Sequence, residues 1–396
     1  MKYLVLIGDG MADHKIDELG GKTPLQAAKT PNMDRLARQG RSGKLLTIPE
    51  GMPTGSAVAN LSIFGYDPEK SYTGRGAIEA AAIGIPMGKN DYAFRCNLVT
   101  EENNLLKDYS SGHISNEESK ELINLLNDNF KSNDIEFHKG VSYRHILLLK
   151  NIGFNLELDC RPPHDVIGKK ILDIMIKPNN KESNQVARML NKMILDSKML
   201  LERHPVNFNR IKEKRNPANL IWPWAPGKKP VMEKFSLKGA VISAVDVIFG
   251  IGVLAGLDPI KVRGATGLYD TNYEGKADAA IKALKEKDIV FVHVEAPDEA
   301  SHAGDLKLKI KTIEDFDKRL VGRVLEKVDD DVAIAVLPDH PTPIEIKTHA
   351  AEPVPFVIYN PKQKPDKVEE FNEFSCEEGS YGNKNTTEFI KLLLSK

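Results

Sequence analysis

Seven side chains with metal-binding chemistry lie on five short, separate stretches of the chain. They are Asp9 in LVLIGDG, Ser56 in PTGSAVAN, Asp298 and His302 in EAPDEASH, Asp339 and His340 in LPDH, and His349 in THAAEP. The carboxylates and imidazoles adjoin apolar runs that read as buried strands. They are therefore expected at strand carboxyl ends, where open α/β sheets carry their chemistry. Three Asp, three His and one serine hydroxyl, with no cysteine among them, suit a pair of divalent ions of hard to borderline character such as Mn, Zn or Mg. A hydroxyl beside two such ions is the equipment of phosphoryl transfer.

Each residue also has a plainer reading. In PDEASH the i, i+4 spacing of Asp298 and His302 puts both on one face of a helical turn, as a ligand pair or as a surface pair. His293 and Glu295, inside the strand before them, read as satisfied polar groups. Asp339 and His340 point apart if the segment is a strand, whereas a turn presents them to two sites; the alternative is a turn whose Asp bonds nearby amides. His349 is a ligand or a loop histidine. Asp9 sits in GDG, but Met11, Ala12 and Asp13 follow where a dinucleotide loop needs its further glycine, so the residue is a ligand or a helix cap. Ser56 follows Gly55 at the expected start of a helix, either as a nucleophile facing the amide end or as an N-cap, with Thr54 as the competing hydroxyl.

The elements around these residues alternate. After a strand at residues 3–7, AKTPNMDRLARQG has Thr30 as N-cap, Pro31 at the first helical position and Gly40 past the end. Toward the C-terminus the order is DIVFVHVEAP, a helix through 306–328, VAIAVLPDH and VPFVIYN. Apolar strands separated by amphipathic helices indicate an α/β fold, a mostly parallel sheet with helices on both faces. Between them, DYAFRCNLVT, NLLKDYSSG and VSYRHILLLK alternate around a polar helix near 115–131, a smaller α+β insert domain. The expected division is 1–73 and 182–396 for the sheet domain and 74–181 for the insert. The polar IKPNNKES is the hinge at its exit, and a helix over about 182–203 leads back to the sheet.

Bulk composition narrows the classes further. The chain has 396 residues, of which 41% are hydrophobic and 28% charged, with a formal net charge of -1. That balance removes the electrostatic case for a nucleic-acid or anionic-membrane partner. AVISAVDVIFGIGVLAGL, the longest apolar stretch, carries Asp246 and several glycines in a strand-turn-helix pattern and reads as core. Cys96, Cys160 and Cys376 are scattered, with no CxxC spacing, and read as packing residues in a reducing compartment. MKYLVLIGDG meets charge too soon for a signal peptide and reads as the first buried strand, so a cytoplasmic location is expected.

GDGMAD, TPNMDRLA, PTGSAVANLSIFGYDP, GRGAIEAA, EAPDEASHAGD, LPDH and THAAEPVPF span nearly the whole chain. Together they resemble the short, archaeal-type form of cofactor-independent (2,3-bisphosphoglycerate-independent) phosphoglycerate mutase, within the alkaline phosphatase superfamily. The resemblance implies an alkaline-phosphatase-like fold, with Asp298, His302 and His349 on one metal and Asp9, Ser56, Asp339 and His340 on the other. Ser56 would be the nucleophile, the ions Mn or alternatively Zn, Co or Mg, and no organic cofactor would be needed. Ala57 departs from members that carry an acidic residue after the serine. A phosphoglycerate substrate is a small polyanion, so convergent cations are expected to hold it: His113, Arg144, Arg161, Arg95 and Arg75 of the insert, with Lys261 and Arg263 of the sheet domain. The alternative for the same centre is a metal-dependent phosphomonoesterase or related hydrolase, and a third reading is a phosphate shift on a sugar phosphate.

Overall fold

The computed structural model describes residues 1–395 and divides into two compact units, one formed by residues 1–72 with those from 231 onward, the other by Thr73–Pro230. The first unit is built on an eight-stranded sheet, counted over the described residues. From edge to edge its strands are Asp258–Ile260, Gly239–Ile242, Ile289–Val294, Lys2–Gly8, Val332–Pro338, Val354–Tyr359, Arg41–Leu46 and Gly382–Asn385. Val354–Tyr359 runs antiparallel to both neighbours and every other pairing is parallel, so the expectation of a mostly parallel sheet holds.

The central strands are rich in Val, Ile and Leu, and Ile289–Val294 and Val332–Pro338 are buried along their whole length. Such runs cannot leave a face to water. Leu4, Leu6, Val290, Val292, Ile334 and Val336 accordingly share a core with Tyr273, Ile313 and Phe316 from the covering helices. The helix expected at 306–328 is Leu306–Asp315 followed by a π-helical stretch, Phe316–Val321, and Gly322–Lys327. Helix Pro31–Gln39 begins at Pro31 as expected, although Thr30 at its N-cap makes no side-chain capping bond. Among the described residues no helix is long and apolar enough to cross a membrane, and all three cysteines are free.

The second unit has an antiparallel sheet in which Tyr92–Glu102 pairs with Arg144–Leu149 and with Leu220–Lys228. Its end therefore lies well beyond the expected boundary at 181. The helix Asn184–Leu201 does not lead back to the large sheet: Val186, Leu190, Met193, Ile194 and Leu201 are buried in one core with Phe94, Leu147, Trp222 and Trp224. IKPNNKES has the composition of a hinge, but the apolar stripe after it is satisfied by the smaller sheet, and Leu220–Lys228 must still pair with Tyr92–Glu102 before the chain can leave.

His145 gives this second core a pH dependence. It is buried, its Nδ1 accepts from the Gly140 N–H at 3.2 Å, and its Nε2 has no partner. Burial pushes its pKa down to about 3, outweighing the Ser142 backbone, which acts the other way. The unfolded chain takes up a proton near pH 6.5 that the fold refuses, so stability present above that pH is lost as the pH falls from about 6.5 towards 3, by up to roughly 1.4 kcal/mol per pH unit. Both tryptophans of the chain, Trp222 and Trp224, belong to this unit, so tryptophan fluorescence follows its unfolding. Between pH 6 and 4 the denaturant midpoint of His145→Phe is expected to fall less steeply than that of the wild type. Parallel slopes would show that His145 does not titrate on unfolding.

Candidate metal centre

Register brings the acidic groups together. Gly8 is level with Val294 on one side and with Pro338 on the other, so Asp9, Glu295 and Asp339 leave three adjacent parallel strands at one height. The Gly10 N–H then donates to Asp339 Oδ1 at 3.1 Å. Gly10 has φ +59°, and a Cβ on it would lie 2.5 Å from Asp298 Oδ1 and 2.6 Å from Thr342 Oγ1. Only glycine lets this turn pass so close beneath Asp298.

Asp298 and His302 lie on the short helix Ala296–Ala303, one turn apart, with His302 Nε2 3.1 Å from Asp298 Oδ2. His349 Nε2 is 3.1 Å from His302 Nε2 and 3.7 Å from Asp298 Oδ1. The Lys347 carbonyl oxygen lies 2.9 Å from His302 Nδ1. A carbonyl only accepts, so Nδ1 carries a proton and Nε2 is the atom turned toward Asp298 and His349.

Ser56 is the first residue of helix Ser56–Ile63 and does not act as its cap. Gly55 before it has φ +139°, and a Cβ there would come 3.3 Å from His349 Nδ1. The glycine thus serves both the turn and the approach of the histidine. Ser56 Oγ is 3.3 Å from His340 Nε2 and 3.5 Å from Asp9 Oδ2. Asn60, one turn on, donates to the Ser56 carbonyl at 2.9 Å and to Asp339 Oδ2 at 2.8 Å. Thr54 is exposed.

Among the described residues two groups offer ligand atoms within 4.8 Å of one another: Asp9, Asp339 and His340, and Asp298, His340 and His349. His340 is common to both, while His302 joins the second group through its contacts with Asp298 and His349. Thr342 decides which nitrogen of His340 faces the carboxylates. Its single hydroxyl proton goes to Asp298 Oδ1, 2.6 Å away, so it must accept from His340 Nδ1 at 3.2 Å. Nε2 is then left with its lone pair toward Asp9 Oδ1, 3.3 Å away, and Ser56.

The charges are unbalanced in the way a cation would correct. Burial, and then the neighbouring charges of Asp339, Asp298 and Glu295, push the Asp9 carboxyl well above its usual range. Burial alone would raise Asp339 too, but His340, His293 and the Gly10 N–H outweigh it and hold that carboxyl low. Asp298 is likewise held well below its usual range against burial, by His302 and His349. Burial keeps His340 neutral against Asp339 and Asp298, whereas the hydrogen bond to Asp298 raises His302 to about 9. Asp9 Oδ1 is buried with no hydrogen bond of acceptable geometry, despite His340 Nε2 at 3.3 Å. A buried, unsatisfied carboxylate oxygen beside a neutral imidazole nitrogen fits a divalent cation.

In the second unit, Arg75, Arg95 and Arg144 gather around Glu79. Arg75 Nε donates to Glu79 Oε1 at 2.7 Å, Arg95 Nε lies 2.9 Å from Oε2, and Arg144 adds its charge to the pull that keeps Glu79 ionised against burial. The guanidinium carbon of Arg95 lies over the Trp224 ring, 4.2 Å from its centroid. His113, in the left-handed region at φ +49°, packs edge-on to Tyr143, and His164 packs between Tyr109 and Trp224. Arg161 does not join them by its side chain, which is exposed; its carbonyl accepts from Trp222 Nε1. Lys261 and Arg263 are exposed beyond the edge strand Asp258–Ile260.

Asn60, Thr342 and Lys276, which carry the centre's connections, have no signal in the sequence, and His293 and Glu295 read there only as satisfied polar groups. His293 Nε2 is 3.4 Å from Asp339 Oδ2, and hydrogen bonds with Asp339 and Glu295 outweigh burial to raise its pKa to about 9. The signal available was the i, i+2 spacing of His293 and Glu295, which puts both on one face of a central strand.

Residues 37–207 match the family model described as 2,3-bisphosphoglycerate-independent phosphoglycerate mutase. A protein of that name from Methanosarcina barkeri is 52% identical over 403 residues, covering 100% of this chain and 99% of its own. One from Geobacter sulfurreducens, named as a probable enzyme of the same kind, is 50% identical over 91% of each chain. Among solved structures, a protein from Pyrococcus horikoshii superposes with a TM-score of 0.84 at 32% identity, over 99% of this chain and 96% of the other. The cofactor-independent phosphoglycerate mutase of Thermoplasma acidophilum gives 0.69 at 27% identity, over 100% and 99%. At 52% identity over its full length to the Methanosarcina barkeri protein, the chain belongs to the 2,3-bisphosphoglycerate-independent phosphoglycerate mutase family.

Proposed function

We propose that this chain interconverts 3-phosphoglycerate and 2-phosphoglycerate through a phosphoserine formed on Ser56. The observation that carries the reading is the proximity of Ser56 Oγ, at the amino end of a helix, to His340 Nε2 at 3.3 Å and Asp9 Oδ2 at 3.5 Å. Asp298, His302 and His349 would hold one divalent ion and Asp9, Asp339, His340 and Ser56 the other, with Mn favoured by the mixed Asp and His donors and Zn, Co or Mg as alternatives. Bound there, the ions would favour ionisation of the serine and neutralise phosphoryl oxygens.

Ser56 Oγ attacks phosphorus as the bond from phosphorus to the glycerate oxygen breaks, and the proton lost by the serine balances the one gained by the departing hydroxyl. Return transfer to the neighbouring hydroxyl regenerates the serine without consuming water. The free amides of the helix start stabilise the added negative charge on the phosphoserine. Thr342 holds His340 in the tautomer that keeps Nε2 unprotonated, and Asn60 fixes Ser56 relative to Asp339. Arg75, Arg95 and Arg144, with His113, Arg161, Lys261 and Arg263 as further candidates, have the chemistry to retain the carboxylate and phosphate of the glycerate. Retention is what separates a mutase from a phosphatase.

Supplied with 3-phosphoglycerate and Mn, and with no 2,3-bisphosphoglycerate, the protein is expected to form 2-phosphoglycerate with little free phosphate. Stripping the metal with a chelator should abolish turnover; full activity in a metal-free sample would exclude the two-metal reading. Ser56→Ala should lose on the order of 10⁴-fold or more in turnover, as nucleophile deletions do, and Thr54→Ala far less. A phosphopeptide carrying its phosphate on Thr54 would identify the other hydroxyl. Thr342→Val should cost roughly 10–100-fold in metal affinity or rate, with Thr342→Ser largely restoring it. Arg144→Ala should raise free phosphate relative to 2-phosphoglycerate, and unchanged partitioning with unchanged KM would remove Arg144 from substrate binding.

A further inference from the structure

Behind the candidate centre lies a buried polar chain that takes no part in the reaction as described. Lys276 is fully buried, and its Nζ bonds Glu295 Oε2 and the His293 carbonyl oxygen, each at 2.8 Å. Glu295 Oε1 also accepts from Ser243 Oγ at 2.7 Å, from the Ala244 N–H at 3.0 Å and from His293 Nδ1 at 3.3 Å. Glu295 stands level with Asp9 and Asp339 at the sheet rim, yet its oxygens are taken up by these donors, which leaves it unsuited to bind a cation. The ring it orients turns Nε2 outward, 3.4 Å from Asp339 Oδ2 and 3.5 Å from Asp9 Oδ2.

A buried ammonium–carboxylate pair seldom stabilises a fold more than apolar residues of the same volume would. This one ends on an imidazole lodged between two carboxylates that repel one another. We propose that His293 is a positioning residue for the Asp9, Asp339 and His340 group: its Nε2–H bridges Oδ2 of both carboxylates, and Glu295 and Lys276 hold the ring for that purpose. Bridged in this way, Asp9 keeps Oδ1, the buried oxygen without a hydrogen-bond partner, turned toward His340. This rests on the reading that Asp9 and Asp339 are ligands.

Mn²⁺ titrated calorimetrically into the metal-stripped full chain tests both steps separately. Wild type should bind two equivalents and Asp339→Ala one; two in Asp339→Ala would refute the ligand assignment and this proposal with it. In His293→Asn the amide can still serve Glu295 but falls short of the carboxylates, so two equivalents should remain with one weakened roughly 10–100-fold. The amide of His293→Gln reaches the Nε2 position and should lose less. Wild-type affinity at both sites in the Asn variant, or equal losses in Asn and Gln, would overturn the positioning role. Outright loss of one equivalent would make His293 a ligand and overturn it too. Should the Asn variant not fold, Ser243→Ala, which removes one donor from Glu295, should weaken the same equivalent more mildly, and unchanged affinity there would overturn the proposal.

Discussion

The level register of three parallel strands is the constraint on which the candidate centre depends. Gly8 is level with Val294 on one side and with Pro338 on the other, so Asp9 emerges between Glu295 and Asp339, both far from it in the sequence. A slip of one residue in any strand would turn its side chains to the opposite face. The continuous burial of Ile289–Val294 and Val332–Pro338 protects that register, because a shifted strand would lose the packing of both faces at once. Stability of the core and geometry of the site are here one property.

Four buried carboxylates, Asp9, Glu295, Asp298 and Asp339, lie close enough to repel one another, and the surrounding residues divide that charge. Glu295 is neutralised from behind by Lys276 and His293. Asp298 is held ionised by His302 and His349, and Asp339 by His340, His293 and the Gly10 amide. Asp9 is left with its carboxyl pushed up, which marks where positive charge is still lacking. Thr342 couples the two halves, since one hydroxyl orients both Asp298 and His340.

Much of this was legible in the sequence, for a physical reason. A buried parallel strand is a long apolar run, and a polar residue at its end stands out; Asp9, Asp298 and Asp339 were found in that way, and Gly55 marked the turn into Ser56. Asn60, Thr342 and Lys276 were not, because each acts through a partner distant in the chain and sits in unremarkable sequence. His293 and Glu295 read in the sequence as ordinary satisfied groups, which describes their hydrogen bonds and misses whom they serve. The end of the smaller unit is not legible in the sequence, because a polar tract resembles a hinge, while the pairing of Leu220–Lys228 with Tyr92–Glu102 has no local signature.

Crystals soaked in manganese, with anomalous scattering recorded at the manganese edge, test the convergence of these strand ends most directly. The expected map has two peaks, one bounded by Asp298, His302 and His349 and the other by Asp9, Asp339, His340 and Ser56 Oγ. A single peak, or peaks away from these side chains in a protein that is active with manganese, would contradict it.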